Sequence, residues 1–267
     1  MKDQTKDTYF RTHDAIIEKR VNSPYAIRRQ VHADIYDSVL RFVEPGMRVL
    51  DAGCGEGALS RLMAEKGADV VGVDLSVANI RSAEERRLKD RPELQKRLHY
   101  LIGDLEQLPF SDNAFDCVVS SHVLEHLPDF DRGLSELHRL TGRQAVIAVP
   151  TCINPCSWAL LGGDNYWRVG KRTPIGVPLG IFRVIRAWMT KADGVNEGYL
   201  GDQKLPHVFR FPSVVRRHLT MAGFCVLQQE AQSLRFPYVP LPIETRSLRR
   251  RLPSWGIGTV FLVKRKE

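Results

Sequence analysis

A glycine-rich turn, Gly53, Gly55 and Gly57, follows the apolar run at Val49 and Leu50 and precedes an amphipathic stretch from Ala58. Glycines let the backbone turn sharply and approach a ligand, and a helix start beyond them presents free amide groups. Carboxylates recur where the apolar runs end: Asp51 beside the turn, Asp74 after the next run and Asp104 after Gly103. A carboxylate at the Asp74 position can accept both hydroxyls of a ribose. One at Asp104 can accept the amino group of an adenine. The spacing departs from the G-x-G-x-x-G of dinucleotide sites, because the third glycine falls one residue early. Asp51 and Glu56 also bracket the loop with negative charge, which repels a pyrophosphate and suits a cationic amino group.

Further along, His122-Val-Leu-Glu125-His126 spells H-x-x-E-H, a pattern known from zinc hydrolases. It directly follows an apolar run, so the plainer expectation is that Glu125 and His126 face a substrate mouth or cap the next helix, and that no metal is held. Cys152 and Cys156 have no second pair, and Cys117 and Cys225 fit small buried positions better than ligation.

These residues need a frame to bring them together. Short apolar runs at residues 47–51, 69–73, 98–102, 115–120 and 144–149 read as strands buried on both faces. Between them, 58–66, 77–89 and 131–140 carry helical spacing, with Ser76 as an N-cap and Gly67 as a stop. Such alternation predicts an α/β, Rossmann-like, doubly wound fold: a mostly parallel seven-stranded sheet with helices on both faces. A helix is expected over 25–42, another over 212–221, and strands over 224–229 and 258–263. Residues 151–211 are too long for a structureless loop, so they read as an insertion with structure of its own.

Of the 267 residues, 43% are hydrophobic and 26% charged, ordinary usage for a soluble globular chain. No apolar run approaches the roughly 18 to 20 residues of a membrane span. The polar N-terminus and five scattered cysteines favour a reducing, cytoplasmic setting. Charge is uneven. Residues 1–149 hold 21 Lys and Arg against 24 Asp and Glu, whereas residues 150–267 hold 18 against 7. A neutral half joined to a basic half suggests a standard framework with a basic surface facing a partner or substrate.

With these motifs in order, the sequence resembles the class I S-adenosylmethionine-dependent methyltransferases. VLDAGCGEG looks like their first motif, VGVDLS their second, and GDLEQLPFSDNAFDCVVSSHVLEHLPD the region around their third and fourth strands. The segment from His207 to Phe224 is similar to the one before the sixth strand in small-molecule and lipid-modifying members. The resemblance implies S-adenosylmethionine as cofactor. Asp51 and the Gly53, Gly55 and Gly57 backbone would hold its methionine end, Asp74 and Leu75 its ribose, Asp104 and Leu105 its adenine. Ser120 would offer its carbonyl to the methionine amine and His122 would line the same wall.

Methyl transfer from a sulfonium is an in-line displacement, so alignment and exclusion of water dominate. A base matters only for a protonated acceptor, and the candidates are His126 and His207. The reading is then a methyltransferase domain over 47–267 with a substrate-capping insertion at 151–211, and N-terminal helices over 1–46 forming a lid that could use Tyr9, Phe10, His13 and Tyr25. It acts on a small-molecule acceptor at oxygen or carbon, acidic or lipid-like. RNA methylation and a non-catalytic cofactor-binding partner are the alternatives; the absence of an appended RNA-binding module disfavours nucleic acid.

Within the insertion, Ile181, Phe182, Ile185, Trp188 and Met189 share one helical face, opposite Arg183 and Arg186. That face reads either as a lid or homodimer helix packed inward, or as a weak contact with an anionic membrane surface.

Overall fold

A computed structural model describes residues 2–11, 17–168, 175–197, 206–239 and 246–266. The chain begins with α1 (Lys2–Arg11), a π-helical turn at Ile17–Val21 and α2 (Ala26–Leu40). It continues through β1 (Arg48–Ala52), α3 (Ala58–Glu65), β2 (Asp69–Asp74), α4 (Val77–Arg87), α5 (Pro92–Arg97), β3 (Leu98–Ile102), β4 (Phe115–Ser121), α6 (Phe130–Leu140) and β5 (Thr141–Pro150). The insertion supplies α7 (Pro155–Leu161), α8 (Gly176–Met189), β6 (Gly194–Asn196) and β7 (Val208–Arg210). Then follow α9 (Pro212–Met221), β8 (Phe224–Gln232), α10 (Arg246–Arg251) and β9 (Gly258–Arg265).

Seven strands form one sheet in the order β3-β2-β1-β4-β5-β9-β8. The pairings among β1 to β5 are parallel, and β9 runs antiparallel to both of its neighbours. Adjacent residues of β1 serve opposite cores: Val49 packs with Met63, Val70 and Val119, whereas Leu50 packs with Val118, Leu134 and Ile147. Both faces are covered, which is why the strands read as unbroken apolar runs. The Ser76 hydroxyl caps α4 by accepting from the Asn79 amide at 3.1 Å, as its position predicted. Three short helices, α5, α7 and α10, escaped the periodicity because 6 or 7 residues carry too few turns to register a pattern.

The insertion packs through its smallest residues. Gly180 lies so close to the Trp158 carbonyl that a Cβ there would overlap it. Helix α8 therefore turns Gly176, Gly180 and Ala187 toward the protein. Its large apolar residues face outward, with Phe182 62%, Ile185 50% and Trp188 71% exposed. Among the described residues, the inward-packed lid arrangement of that face is not the one adopted. The insertion is tied to the sheet by a bridge between Thr151 and Arg210 and by a small core around Leu161, Val195 and Phe209.

Candidate functional site

Strand order reverses between β1 and β4, and a cavity of about 420 Å³ opens beyond the strand ends there. Its floor is the glycine-rich turn. Gly53 adopts φ +85°, and a Cβ on it would overlap the Val123 side chain, so only glycine fits. The Gly53 and Cys54 amides both donate to the Val73 carbonyl, at 2.7 and 2.9 Å, and pin the turn to β2. Asp74 accepts from the Gly55 amide at 2.9 Å, from the Ser76 amide at 2.8 Å and from Asn79 Nδ2 at 3.4 Å. Asp51 accepts from Ser60 Oγ at 2.5 Å. Asp104 accepts from Lys6 Nζ at 2.6 Å and from the Glu106 amide at 3.0 Å. Three carboxylates thus stand at or just beyond the C-terminal ends of three adjacent strands.

Asp51, Gly53, Gly55, Asp74, Leu75, Asp104, Leu105, His122, His126 and His207 all line the cavity. Two expected residues do not. Gly57 is the N-cap of α3 and faces Tyr100, whose ring would collide with any Cβ there. Ser120, whose carbonyl was the expected contact, is fully buried, and its side chain points away from the wall that Ser121 lines, because successive strand residues point to opposite faces. Sequence reasoning missed Lys6 and Arg20, which reach the cavity from the N-terminal segment, and His32 and Tyr36 from α2. It also missed the adjacent aromatics Tyr166 and Trp167 and the carboxylate of Glu197 in the insertion. Lone charged residues in a polar N-terminal stretch carry no signal; the Tyr-Trp pair within the insertion is a readable one. Of the four aromatic and histidine residues expected in a lid, Tyr25 forms a hydrogen bond with Arg168 at 2.9 Å, Phe10 is exposed, and the Tyr9 side chain and His13 lie outside the described residues.

His122, His126 and His207 share the cavity with the carboxylates. His122 occupies the left-handed region at φ +57°, held by its amide donating to the Ala148 carbonyl at 2.8 Å. Its Nε2 lies 3.0 Å from Gln232 Oε1, and Gln232 Nε2 in turn donates to Ser38 Oγ at 2.7 Å. Glu125, in the 3-10 turn Leu124–His126, is buried. One of its oxygens lies 3.6 Å from His122 Nδ1 and 3.9 Å from His126 Nε2. The His126 and His207 rings stack at 4.7 Å between centroids, although they come from sequence positions on either side of the insertion.

Burial pushes the Asp51 carboxyl up; the Ser60 hydrogen bond opposes this, the Asp74 charge adds to it, and the group stands at about 7. Burial also pushes Glu125 up, but the hydrogen bond from His122 and the neighbouring imidazoles outweigh it and hold the carboxyl at about 2. His126 is lowered to about 4 by burial, against the pull of Glu125. His32 is lowered by burial to about 2 and faces the cavity as a neutral ring.

Several arginines of the basic half are held in ion pairs. Arg249 pairs with Asp34 and Asp37 at 3.7 Å each, Arg250 with Glu230 at 2.8 Å and Arg217 with Asp193 at 3.0 Å. Fewer cations therefore act on the cavity mouth than the composition suggested.

The donor set suits a particular ligand. An acidic pair at Asp51 and Asp74, a third carboxylate at Asp104 and apolar walls at Leu75 and Leu105 match an ammonium, a vicinal diol and an aminated flat ring. Among the described residues, no cluster of cations lies at the glycine-rich turn to meet a pyrophosphate; Glu56 there takes Arg86 at 3.1 Å.

Residues 50–149 match the family model described as a methyltransferase domain. Over 107 residues the chain is 39% identical to a malonyl-[acyl-carrier protein] O-methyltransferase of Serratia marcescens, covering 40% of this chain and 39% of that protein. It is 32% identical over 126 residues to a ubiquinone/menaquinone biosynthesis C-methyltransferase of Legionella pneumophila, covering 45% and 50%. The match thus spans about two fifths to half of these relatives. Among solved structures, magnesium protoporphyrin IX methyltransferase from Synechocystis PCC 6803 with bound S-adenosylmethionine superposes with a TM-score of 0.59 at 20% identity, over 99% of this chain and 97% of that one. That likeness speaks to the fold.

Proposed function

We propose that this chain, a member of the class I S-adenosylmethionine-dependent methyltransferases, binds S-adenosylmethionine against its three carboxylates and methylates oxygen or carbon of a small acidic or lipid-like acceptor. When bound, the cofactor supplies a sulfonium methyl group that a nucleophile can displace. Asp51, with the turn from Gly53 to Gly55, receives the amino-acid end, Asp74 the ribose hydroxyls and Asp104 the adenine amine. The observation that carries the reading is that these carboxylates and the histidine pair His126 and His207 line one cavity.

His126 or His207 takes the proton of a hydroxyl acceptor, since His126 is neutral well above pH 4. The N-terminal segment over 1–46 acts as a lid. Support comes from Lys6 on Asp104, from the Ile17 amide donating to Glu56 at 2.9 Å, and from Arg20 at the cavity wall. The insertion caps the acceptor side through Tyr166, Trp167 and Glu197. Its outward face, Phe182, Ile185, Trp188 and Met189 beside Arg186, supports weak contact with an anionic membrane. Free cysteines throughout the described residues are consistent with a cytoplasmic protein, and no described helix is long and apolar enough to cross a membrane.

Calorimetric titration with S-adenosylhomocysteine tests the site, and incubation of methyl-labelled cofactor with a cell extract, followed by partition between organic and aqueous phases, tests the acceptor class. Label in extracted small molecules supports the reading; label only in RNA replaces the acceptor, and binding without any transfer reduces the chain to a cofactor-binding partner.

A further inference from the structure

We infer that Glu125, His126 and His207 form a divalent-cation site on the acceptor side of the cavity, reversing the expectation that no metal is held. One ligand atom from each residue lies within 4.8 Å of those of the other two. Two imidazoles and a carboxylate are the donor set of several mononuclear metal sites, and three protein ligands leave positions open to an exogenous oxygen.

The surroundings of both rings are those of metal-binding histidines. His126 Nδ1 lies 3.0 Å from the Pro206 carbonyl, an acceptor only, so the ring hydrogen is on Nδ1 and Nε2 carries the lone pair. His207 Nδ1 lies 2.8 Å from a Glu197 carboxylate oxygen, which directs its Nε2 lone pair away from Glu197 in the same manner. An outer carbonyl or carboxylate on the far ring nitrogen orients the ligand and raises its basicity. Glu197 is then a positioning residue.

Glu125 supplies an independent observation. It is 1% exposed, and its Oε2 has no hydrogen-bond partner. A buried carboxylate oxygen without a partner is costly, and a cation held by this carboxylate and the two rings removes that cost. With two nitrogens in the set, zinc or another first-row divalent ion is favoured over magnesium or calcium, which take oxygen ligands. All three residues line the cavity, so the open positions face the acceptor, and the ligand class is an oxygen donor such as a phenol, an enol or a carboxylate. A bound hydroxyl there is positioned and acidified, its proton leaving to solvent, since the cation then holds the ring lone pairs that act as base in the metal-free site. That catalytic use rests on the methyl-transfer reading; the cation site itself does not.

The test uses the full chain after dialysis against a chelator. Zinc is titrated calorimetrically, and cobalt(II) is followed by its visible d–d absorption, with S-adenosylhomocysteine binding measured in parallel. One equivalent of either ion is expected. His207→Ala and Glu125→Gln should abolish binding, and Glu197→Gln should weaken it by about 10- to 100-fold while S-adenosylhomocysteine affinity persists. No stoichiometric uptake of zinc or cobalt, or uptake that His207→Ala and Glu197→Gln leave unchanged, overturns the site. Metal uptake without S-adenosylhomocysteine binding would retain the cation site and remove the methyl-transfer reading; the reverse result would do the opposite.

Discussion

Lys6 Nζ lies 2.6 Å from Asp104 and 2.8 Å from Glu106, joining α1 to the loop after β3 at the rim of the cavity. Glu106 is nearly fully buried and its Oε1 has no hydrogen-bond partner, so Lys6 is the charge that compensates it most directly. Lys6→Met should therefore cost about 1–3 kcal/mol. Faster amide exchange in α1, and faster release of S-adenosylhomocysteine, are the expected signatures in hydrogen-exchange and stopped-flow measurements. Unchanged exchange and release would remove the lid role.

The Asp51 carboxyl predicts a pH dependence of binding. Its folded value, about 7, lies above the ordinary 3.8, so the empty site holds Asp51 protonated below about pH 7. A raised acid contributes stability that is present below the unfolded value and lost as pH rises through the folded one. The ligand-free protein should thus lose stability between about pH 4 and 7 on account of this group. A cationic amine prefers the ionised form, so S-adenosylhomocysteine affinity should rise with pH toward 7, by at most about tenfold per unit, with proton release on binding. Calorimetry in buffers of different ionisation enthalpy measures that release, and Asp51→Asn should flatten the profile.

Gly53→Ala should place a side chain at positive φ, at a cost of roughly 1–2 kcal/mol before the overlap with Val123 is counted. Chemical denaturation should show a larger loss than that, and cofactor binding should fall with it. Val123→Ala relieves the overlap alone, so the double variant should recover part of the stability.

Asp74→Ala removes the acceptor of two backbone amides at the turn, Gly55 and Ser76. A loss of about 1–3 kcal/mol in S-adenosylhomocysteine affinity is expected from calorimetry. Full affinity in both Asp74→Ala and Asp104→Ala would displace the cofactor from this wall.

Phe182→Ser with Trp188→Ser changes residues that are mostly exposed, so folding stability should move by no more than about 0.5 kcal/mol per site. Co-sedimentation with anionic vesicles at low salt should fall, and retention by the unmodified chain should fade as ionic strength rises. Equal retention of both proteins would discard the membrane contact.

The sheet was readable because each strand is apolar on both faces and each helix between is amphipathic, from Val49 to Val149. That same uniformity hid which neighbour faces the cavity: in a strand buried on both sides, nothing in the residue types distinguishes Ser120 from Ser121. Helix α8 illustrates a different blind spot. Its periodicity separates an apolar face from a basic one, yet contact through Gly176 and Gly180 puts neither face wholly inside. The pairing of His126 with His207 depends on how the insertion returns to the sheet at β7, a tertiary event with no local signature.

The position of β9 governs the order in which the molecule can be completed. It follows every other strand in the chain, yet it lies between β5 and β8 and pairs with both. Until it arrives, β5 has an open edge and β8 has no neighbour in the sheet. A nascent chain extended only to β8 consequently exposes a sticky margin along β5, and Ile257 is missing from the cavity wall. The glycine-rich turn is synthesised well before β9, so a finished pocket waits for that strand to arrive.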